Sequence, residues 1–362
     1  MRAPRRHALT RVGRRVLITG GAGFIGTNLA DRLAREGEEV LLLDNVSRPG
    51  VERNLRWLLG EHGDRVRFQV GDVRDRAAVT AAVREASAVF HFAAQVAVTT
   101  SLVDPIGDFE VNARGTLEVL EAIRAQRRPI PVVFTSTNKV YGSLDDLEVS
   151  EGARRYVARP PLARGVSERR GVEFHSPYGC SKGAADQYVL DWARTYGLPA
   201  AVFRMSCIYG PHQHGNEDQG WIAHMIRAAM RGDAITIYGD GKQVRDALFV
   251  EDLVDALLLA RAGIRRIAGE PFNVGGGPDN TVSLLELLDL IEALEGRRPR
   301  VELADWRAAD QRWYVSDTRK LNEALGWAPT VGVAEGVRRL HSWLRSVERA
   351  PASRSAEAEA PL

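Results

Sequence analysis

The chain is poor in lysine. Of its 49 Lys plus Arg, only Lys139, Lys182, Lys242 and Lys320 are lysine, leaving 45 arginines. That bias fits a GC-rich coding sequence, and it makes a lysine inside a motif informative. Cysteine is scarcer still. Cys180 and Cys207 are too few for a disulfide framework or a zinc site, which fits a reducing cytoplasm. No run of about 18 apolar residues exists, so no transmembrane helix and no membrane partner are expected. A net charge of +2 gives no field that would gather nucleic acid or an anionic surface. With 44% hydrophobic and 27% charged residues, the 362-residue chain is neither disordered nor fibrous, and its length suggests about two domains' worth of core.

The ends read as tails. Residues 1–14 are basic, but the apolar stretch after them is only Val16 to Thr19 and runs into glycines, unlike an export signal. Residues 348–362 are rich in Ala, Ser, Pro and Glu and read as a solvated tail.

Between the tails, Val16-Leu17-Ile18-Thr19 reads as a buried strand. Gly20-Gly21-Ala22-Gly23-Phe24-Ile25-Gly26 follows, then a helix with Phe24, Ile25, Leu29 and Leu33 on one face, then a strand over 39–43 ending at Asp44. This is a dinucleotide fingerprint in its proper context. Gly20 permits a tight turn, Gly23 lets the backbone approach a pyrophosphate, and Gly26 lets the helix pack closely. The helix N-terminus offers free N–H groups to phosphate. Asp44 is placed to bond a ribose 2′-hydroxyl and to repel a 2′-phosphate, which favours NAD over NADP; Arg48 moderates that preference. Further strands at 66–70, 88–92 and 131–135, with a long helix over 105–126, imply a doubly wound parallel Rossmann sheet.

The fifth strand runs into Ser136-Thr137-Asn138-Lys139-Val140-Tyr141-Gly142. Forty residues on, Ser176-Pro177-Tyr178-Gly179-Cys180-Ser181-Lys182 sets Tyr178 and Lys182 one helical turn apart, with Pro177 able to start the helix. Lys182 is expected to lower the phenol's pKa by its charge and to hold the nicotinamide ribose. Tyr178 then exchanges a proton with a substrate hydroxyl, and Thr137 with Ser136 hydrogen-bonds the same oxygen. An arginine in place of Lys182 could not shift its pKa as readily. The intact pair argues against a protein that binds NAD only for regulation.

On these motifs the chain resembles the extended short-chain dehydrogenase/reductases that act on nucleotide sugars, the NAD-dependent nucleotide-sugar epimerases. Within them it is most similar to the CDP-paratose 2-epimerase (CDP-tyvelose epimerase) group. The resemblance covers roughly residues 15–345 and is most specific at residues 95–101, 136–142, 175–188, 218–221 and 241–246. It implies that Asp72 and Val73 contact the adenine and that Ala93 and Ala94 line the cofactor channel, with Asn112 supporting the central helix. It also places Asn45, Ser47, Phe92 and Gln95 at the cofactor, and Thr99, Asn138, Lys139, His175, Ser176, Arg204, Gln219, Arg245 and Arg312 at the substrate. Arg245 and Arg312 are assigned to the pyrophosphate, where guanidinium forks suit its oxygens.

The resemblance also separates reactions. The sugar-nucleotide 4,6-dehydratases carry Asp-Glu straight after the catalytic Thr, and this chain has Asn138-Lys139 there. The implied reaction is inversion at C2 by transient oxidation to a keto-sugar and return of the hydride. Inversion at C4 of a UDP-, dTDP- or GDP-sugar stays open, since the motifs do not fix the base. The implied partners are a nucleotide sugar, with a CDP-sugar favoured, and further copies of the chain in a homo-oligomer of open size, packed through helices such as 105–126 and 177–196.

The expected organisation is an NAD lobe over 15–204 with an insertion at 143–174, and a smaller C-terminal α/β substrate lobe over 205–347, from which 235–262 returns to the NAD lobe. His212, His214, Glu217 and Asp218 lack helical spacing and read as a polar substrate-facing loop, with no metal site expected. Cys180 and Cys207 read as packed thiols.

Overall fold

The structure is a computed structural model that describes residues 14–349 apart from 161, 308 and 309. Most of the two tails, residues 1–13 and 350–362, therefore lies outside the described residues.

Seven parallel strands form the central sheet, in the order Pro271–Val274, Ala200–Met205, Val132–Thr137, Ala86–His91, Arg15–Thr19, Val40–Asp44, Val66–Val70. Alternation builds its two faces. Val16, Ile18, Val40 and Leu42 point to one side, where helices Phe24–Arg35 and Val250–Ala262 cover them. Leu17, Leu41 and Leu43 point to the other, against Gly115–Ala125 and the long helix Ser176–Tyr196. Strand order reverses between Arg15–Thr19 and Ala86–His91, so the crevice for a ligand opens above the carboxyl ends of these two strands.

The long helix expected over 105–126 is three segments in line: Pro105–Phe109, a π-helical stretch Glu110–Arg114, and Gly115–Ala125. The widened turn carries Asn112, a buried polar residue facing the catalytic helix.

The substrate lobe has its own core. Ile222, Ile226, Ile235, Ile237, Leu287, Ile291 and Leu340 meet among helices Trp221–Arg231, Leu284–Glu295 and Val333–Arg349. Two findings correct the expected boundaries. Only part of 235–262 returns to the NAD lobe: helix Val250–Ala262 packs on the central sheet, while strand Ile235–Tyr238 pairs with Val301–Ala304 in the substrate lobe. Conversely, Pro271–Val274, far along the chain, supplies the sheet's edge strand.

The insertion 143–174 contains a short antiparallel hairpin, Val149–Glu151 with Tyr156–Ala158. It is anchored by a core of Leu144, Tyr156 and Val166 with Val244, Trp313 and Tyr314. Arg155 fixes the hairpin by bonding Glu286 and Thr281 of the substrate lobe. Phe174, at its end, lies on Gly183 of the catalytic helix, where a Cβ would stand 2.3 Å from the ring.

Candidate active site

The glycine turn is built for close approach. Gly20 has φ +68°, and a Cβ there would meet the Ala93 nitrogen at 2.7 Å. A Cβ on Gly26 would stand 2.5 Å from the Gly20 carbonyl oxygen. Both positions therefore exclude any side chain. Gly23 caps helix Phe24–Arg35 without a side-chain bond, so the first N–H groups, those of Phe24 and Ile25 among them, are open to a phosphate. Asp44 ends its strand and accepts from the Ala22 nitrogen (3.0 Å) and the Val46 nitrogen (2.8 Å). Burial raises its carboxyl, an effect these bonds and Arg48 oppose. The Asp44 carboxylate thus organises both the glycine turn and the loop holding Asn45, Ser47 and Arg48.

Asp72 stands beside that loop. Asn45 Nδ2 donates to it at 2.9 Å, and Arg74 holds its carboxyl well below the usual range. Val73 turns its side chain inward onto Gly115. Phe92, Ala93 and Ala94 follow the fourth strand, with the Ala93 nitrogen bonded to Thr19 Oγ1 at 3.3 Å. These residues fit a dinucleotide: glycines at the pyrophosphate, a carboxylate at the ribose, small residues along the channel. NAD, when bound here, supplies the hydride exchange.

Ser136 and Thr137 belong to the fifth strand itself, which runs Val132–Thr137 and ends at the crevice. The Ser136 hydroxyl oxygen is buried with no hydrogen-bond partner among the described residues, as is that of Thr99. Buried orphan oxygens cost free energy until a polar partner completes them, and both are free to accept or donate to one. The Thr137 hydroxyl acts on the Tyr178 phenol, lowering its pKa, and accepts from the Lys139 nitrogen (3.2 Å). Tyr178 is buried; burial pushes its phenol up to about 12, while Thr137 and Arg48 pull it back and Asp108 pushes it up.

Lys182 is also buried, and its Nζ donates to the Thr135 carbonyl at 2.7 Å, above the Phe134 ring. Burial lowers its ammonium to about 7, against the favourable charges of Asp186 and Asp108. Arg48, from the loop after Asp44, also acts on the phenol through its charge.

A buried polar network fixes the catalytic helix. Asp108 accepts from Gln95 Nε2 (2.7 Å), from Asn112 Nδ2 (3.1 Å) and from the Ser181 hydroxyl. Asn112 also takes the Gln95 nitrogen (2.9 Å), and Ser101 Oγ takes the Tyr178 nitrogen (3.2 Å). Gln95 is therefore tied to the central helix. Asp108, Ser101 and Ser181 were missed by sequence reasoning, because a polar residue next to a motif carries no sign of which way it faces.

On the substrate side, the 310–312 segment docks onto the catalytic loop. Gln311 is buried, takes the Asn138 amide at 3.4 Å and donates to the Gly142 carbonyl at 2.6 Å. Arg245 bonds Asp310 at 2.7 Å, and Arg312 lies between the Tyr156 and Trp306 rings. Lys139 and Arg245 are thus near enough to act on each other's charge, while Arg312 rests against the two rings. Gln219 reaches it from the substrate lobe and accepts from Arg48.

Several expected residues stand elsewhere. Arg204 is buried in a bidentate ion pair with Asp186 (2.9 Å on both branches) and donates to the Tyr141 hydroxyl at 3.2 Å. It therefore braces the catalytic helix against the sheet, with each of its three nitrogens already bonded within the protein. Burial opposes its charge, but the Asp186 bonds win and raise it. His175 is exposed and paired with Glu173 (3.0 Å), and Ser176 Oγ caps the Gly179 nitrogen (3.3 Å). The Asn138 side chain is turned inward, to Gln311. Lys242 pairs with Glu151 of the insertion, and Lys320 pairs with Glu270 at 2.8 Å. Cys180 is exposed, against expectation, while Cys207 accepts from the Trp221 indole at 3.4 Å. In the 212–218 loop, His212 stacks on Trp57 (4.2 Å), His214 bonds Asn54 (3.2 Å), Glu217 takes Thr236 and Tyr238, and Asp218 meets Arg307.

Comparison with known proteins agrees with this geometry. Residues 16–275 match the family described as NAD dependent epimerase/dehydratase. CDP-paratose 2-epimerase of Salmonella typhi is 41% identical over 344 residues, covering 92% of this chain and 100% of that protein. The crystal structure of a UDP-glucose 4-epimerase of Thermotoga maritima with UDP-glucose superposes with a TM-score of 0.80 at 30% identity, covering 92% of this chain and 100% of that one. That of a Thermus thermophilus UDP-glucose 4-epimerase in complex with NAD gives 0.76 at 32%, covering 91% and 99%. By sequence along most of its length and by the fold that carries its site, the chain belongs to the NAD dependent epimerase/dehydratase family.

Proposed function

We propose that this protein is an NAD-dependent isomerase that inverts C2 of a CDP-linked dideoxyhexose. The observation that carries the reading is the 41% identity, across 92% of the chain, to a CDP-paratose 2-epimerase, joined to an intact Thr137, Tyr178 and Lys182 around one crevice. Asn138-Lys139 stands where the related dehydratases carry an acid and a base, so the elimination chemistry lacks its groups.

The chain's own residues divide the work. Tyr178 takes the hydroxyl proton from C2 as the sugar is oxidised, and Thr137 with Ser136 steadies the same oxygen. Arg245 and Arg312 hold the diphosphate while the planar keto-sugar turns over. Tyr178 returns the proton after the hydride arrives on the opposite face. Nothing is oxidised overall.

Inversion at C4 is the second reading, favoured by the superposition on two UDP-glucose 4-epimerases. Incubation with a panel of CDP-, UDP-, dTDP- and GDP-sugars decides between them. Inversion at C2 of a CDP-dideoxyhexose is expected, with Tyr178→Phe losing at least about a hundredfold in turnover while still holding NAD. Inversion confined to C4, or none with any sugar, contradicts the reading.

The same reading places the enzyme in the cytoplasm; no helix among the described residues is long and apolar enough to cross a membrane. It also makes the enzyme a homo-oligomer. Supporting this, Leu102, Val103, Ile106 and Phe109 expose apolar side chains beside the catalytic helix, whose Tyr188 and Tyr196 are exposed too.

A further inference from the structure

The strand that leads into Ala93 and Ala94 ends in a histidine inside the protein. His91 closes strand Ala86–His91 and is only 1% exposed. A buried imidazole needs a partner for each ring nitrogen. Nδ1 meets the Thr19 hydroxyl at 2.6 Å, and Nε2 meets the Thr116 hydroxyl at 2.9 Å.

The neighbouring bonds decide where the ring proton sits. The Thr116 hydroxyl donates to the Asn112 carbonyl at 2.6 Å, so toward His91 it can only accept, and Nε2 carries the hydrogen. Burial and the charge of Lys182 hold the imidazolium down to about 3, so the ring is neutral and Nδ1 accepts from Thr19. Thr19 in turn accepts from the Ala93 nitrogen at 3.3 Å. The bonds therefore run one way, from Ala93 through Thr19, His91 and Thr116 to Asn112, and each polarises the next.

The ends of this chain are the two halves of the site. Thr19 directly precedes Gly20, and the glycine turn lies so close on Ala93 that a Cβ at Gly20 would stand 2.7 Å from its nitrogen. The Asn112 amide donates to Asp108 at 3.1 Å and to Ser181 of the catalytic helix at 3.0 Å. The His91 carbonyl adds a third tie. It accepts from the Thr135 hydroxyl at 3.3 Å, and the Thr135 carbonyl takes Lys182. Hydride and proton exchange at one carbon require the cofactor and Tyr178 to keep a fixed relative position.

We propose that His91 is a positioning residue: through its Nε2-protonated ring it holds the glycine turn that takes the cofactor's pyrophosphate in register with the helix that carries Tyr178 and Lys182. This needs only the NAD chemistry of the family and stands whichever sugar carbon is inverted.

The test has one arm on the native enzyme and two on variants. Nitrogen NMR of the full chain with isotope-labelled histidine should show His91 protonated at Nε2 and bare at Nδ1; a ring protonated at Nδ1 overturns the proposal. NAD binding is then measured by calorimetry. His91→Leu should weaken NAD by about tenfold, the loss of one or two hydrogen bonds' worth of order. His91→Asn, whose side-chain oxygen stands near the place of Nδ1 and can accept from Thr19, should recover NAD binding to within about threefold. Thr116→Val keeps the shape and severs only the helix end. It should leave NAD affinity within about twofold and lower kcat for the CDP-dideoxyhexose about tenfold, with KM unchanged. Unchanged NAD affinity in His91→Leu, an equal loss in His91→Leu and His91→Asn, or wild-type turnover in Thr116→Val overturns the proposal. If the native enzyme does not act on the CDP-dideoxyhexose, the C2 reading falls, and the NMR and NAD arms still decide this one.

Discussion

Tyr178 must give up a proton that its surroundings hold firmly. Burial pushes the phenol up to about 12, and Asp108 adds to that, while Thr137 and Arg48 work the other way. The sign of the Arg48 effect is fixed by charge: a nearby guanidinium favours the phenolate. Arg48→Met is therefore expected to raise the phenol's pKa and to move the limb of the kcat/KM profile that reports Tyr178 to higher pH. A profile that stays in place shows that Arg48 does not act on the phenol. The pair Tyr178 and Lys182 was legible in the sequence, because i, i+4 spacing after a helix-starting Pro fixes a shared face. The part played by Arg48 was not. Its loop follows Asp44 in sequence, and only folding brings it over a residue 130 positions away.

At the scale of elements, the catalytic helix Ser176–Tyr196 is held at three places. Ser181 and Asn112 meet Asp108 near its start, Gly183 admits Phe174 from the insertion, and Asp186 takes both branches of Arg204 from the sheet. The last is a buried ion pair, and removing one partner leaves an uncompensated charge. Arg204→Met should cost about 3–5 kcal/mol of stability by denaturant titration, and should leave the KM for substrate near wild type in whatever fraction folds. A large KM effect with unchanged stability would return Arg204 to the substrate. Sequence reasoning put it there because it ends a strand at the sheet's carboxyl edge, where sites lie. Strand residues alternate faces, and nothing in the linear order reveals that Asp186 waits opposite. Residues 235–262 were misassigned for a related reason. A strand and a helix adjacent in sequence read as one unit, but strand Ile235–Tyr238 found its partner at Val301–Ala304 while helix Val250–Ala262 found its own on the central sheet.

At the scale of the molecule, the parallel sheet was readable because each buried strand, turn and helix repeats in order, and the glycine fingerprint fixes where the order begins. The substrate lobe was less so, since its short strands pair across long stretches of chain. On the proposed reading the substrate is met from both: Thr137 and Tyr178 of the NAD lobe at the sugar, Arg245 and Arg312 of the other at the diphosphate. Only their assembly around one crevice lets oxidation and reduction occur on the same carbon without release of the keto-sugar. The most direct test of that account follows hydrogen. A CDP-dideoxyhexose carrying deuterium at C2 should turn over with a primary isotope effect and keep its deuterium at C2 in the inverted product. The same sugar labelled at C4 should show no such effect. An isotope effect from C4 alone, or loss of the C2 label to solvent, would contradict it.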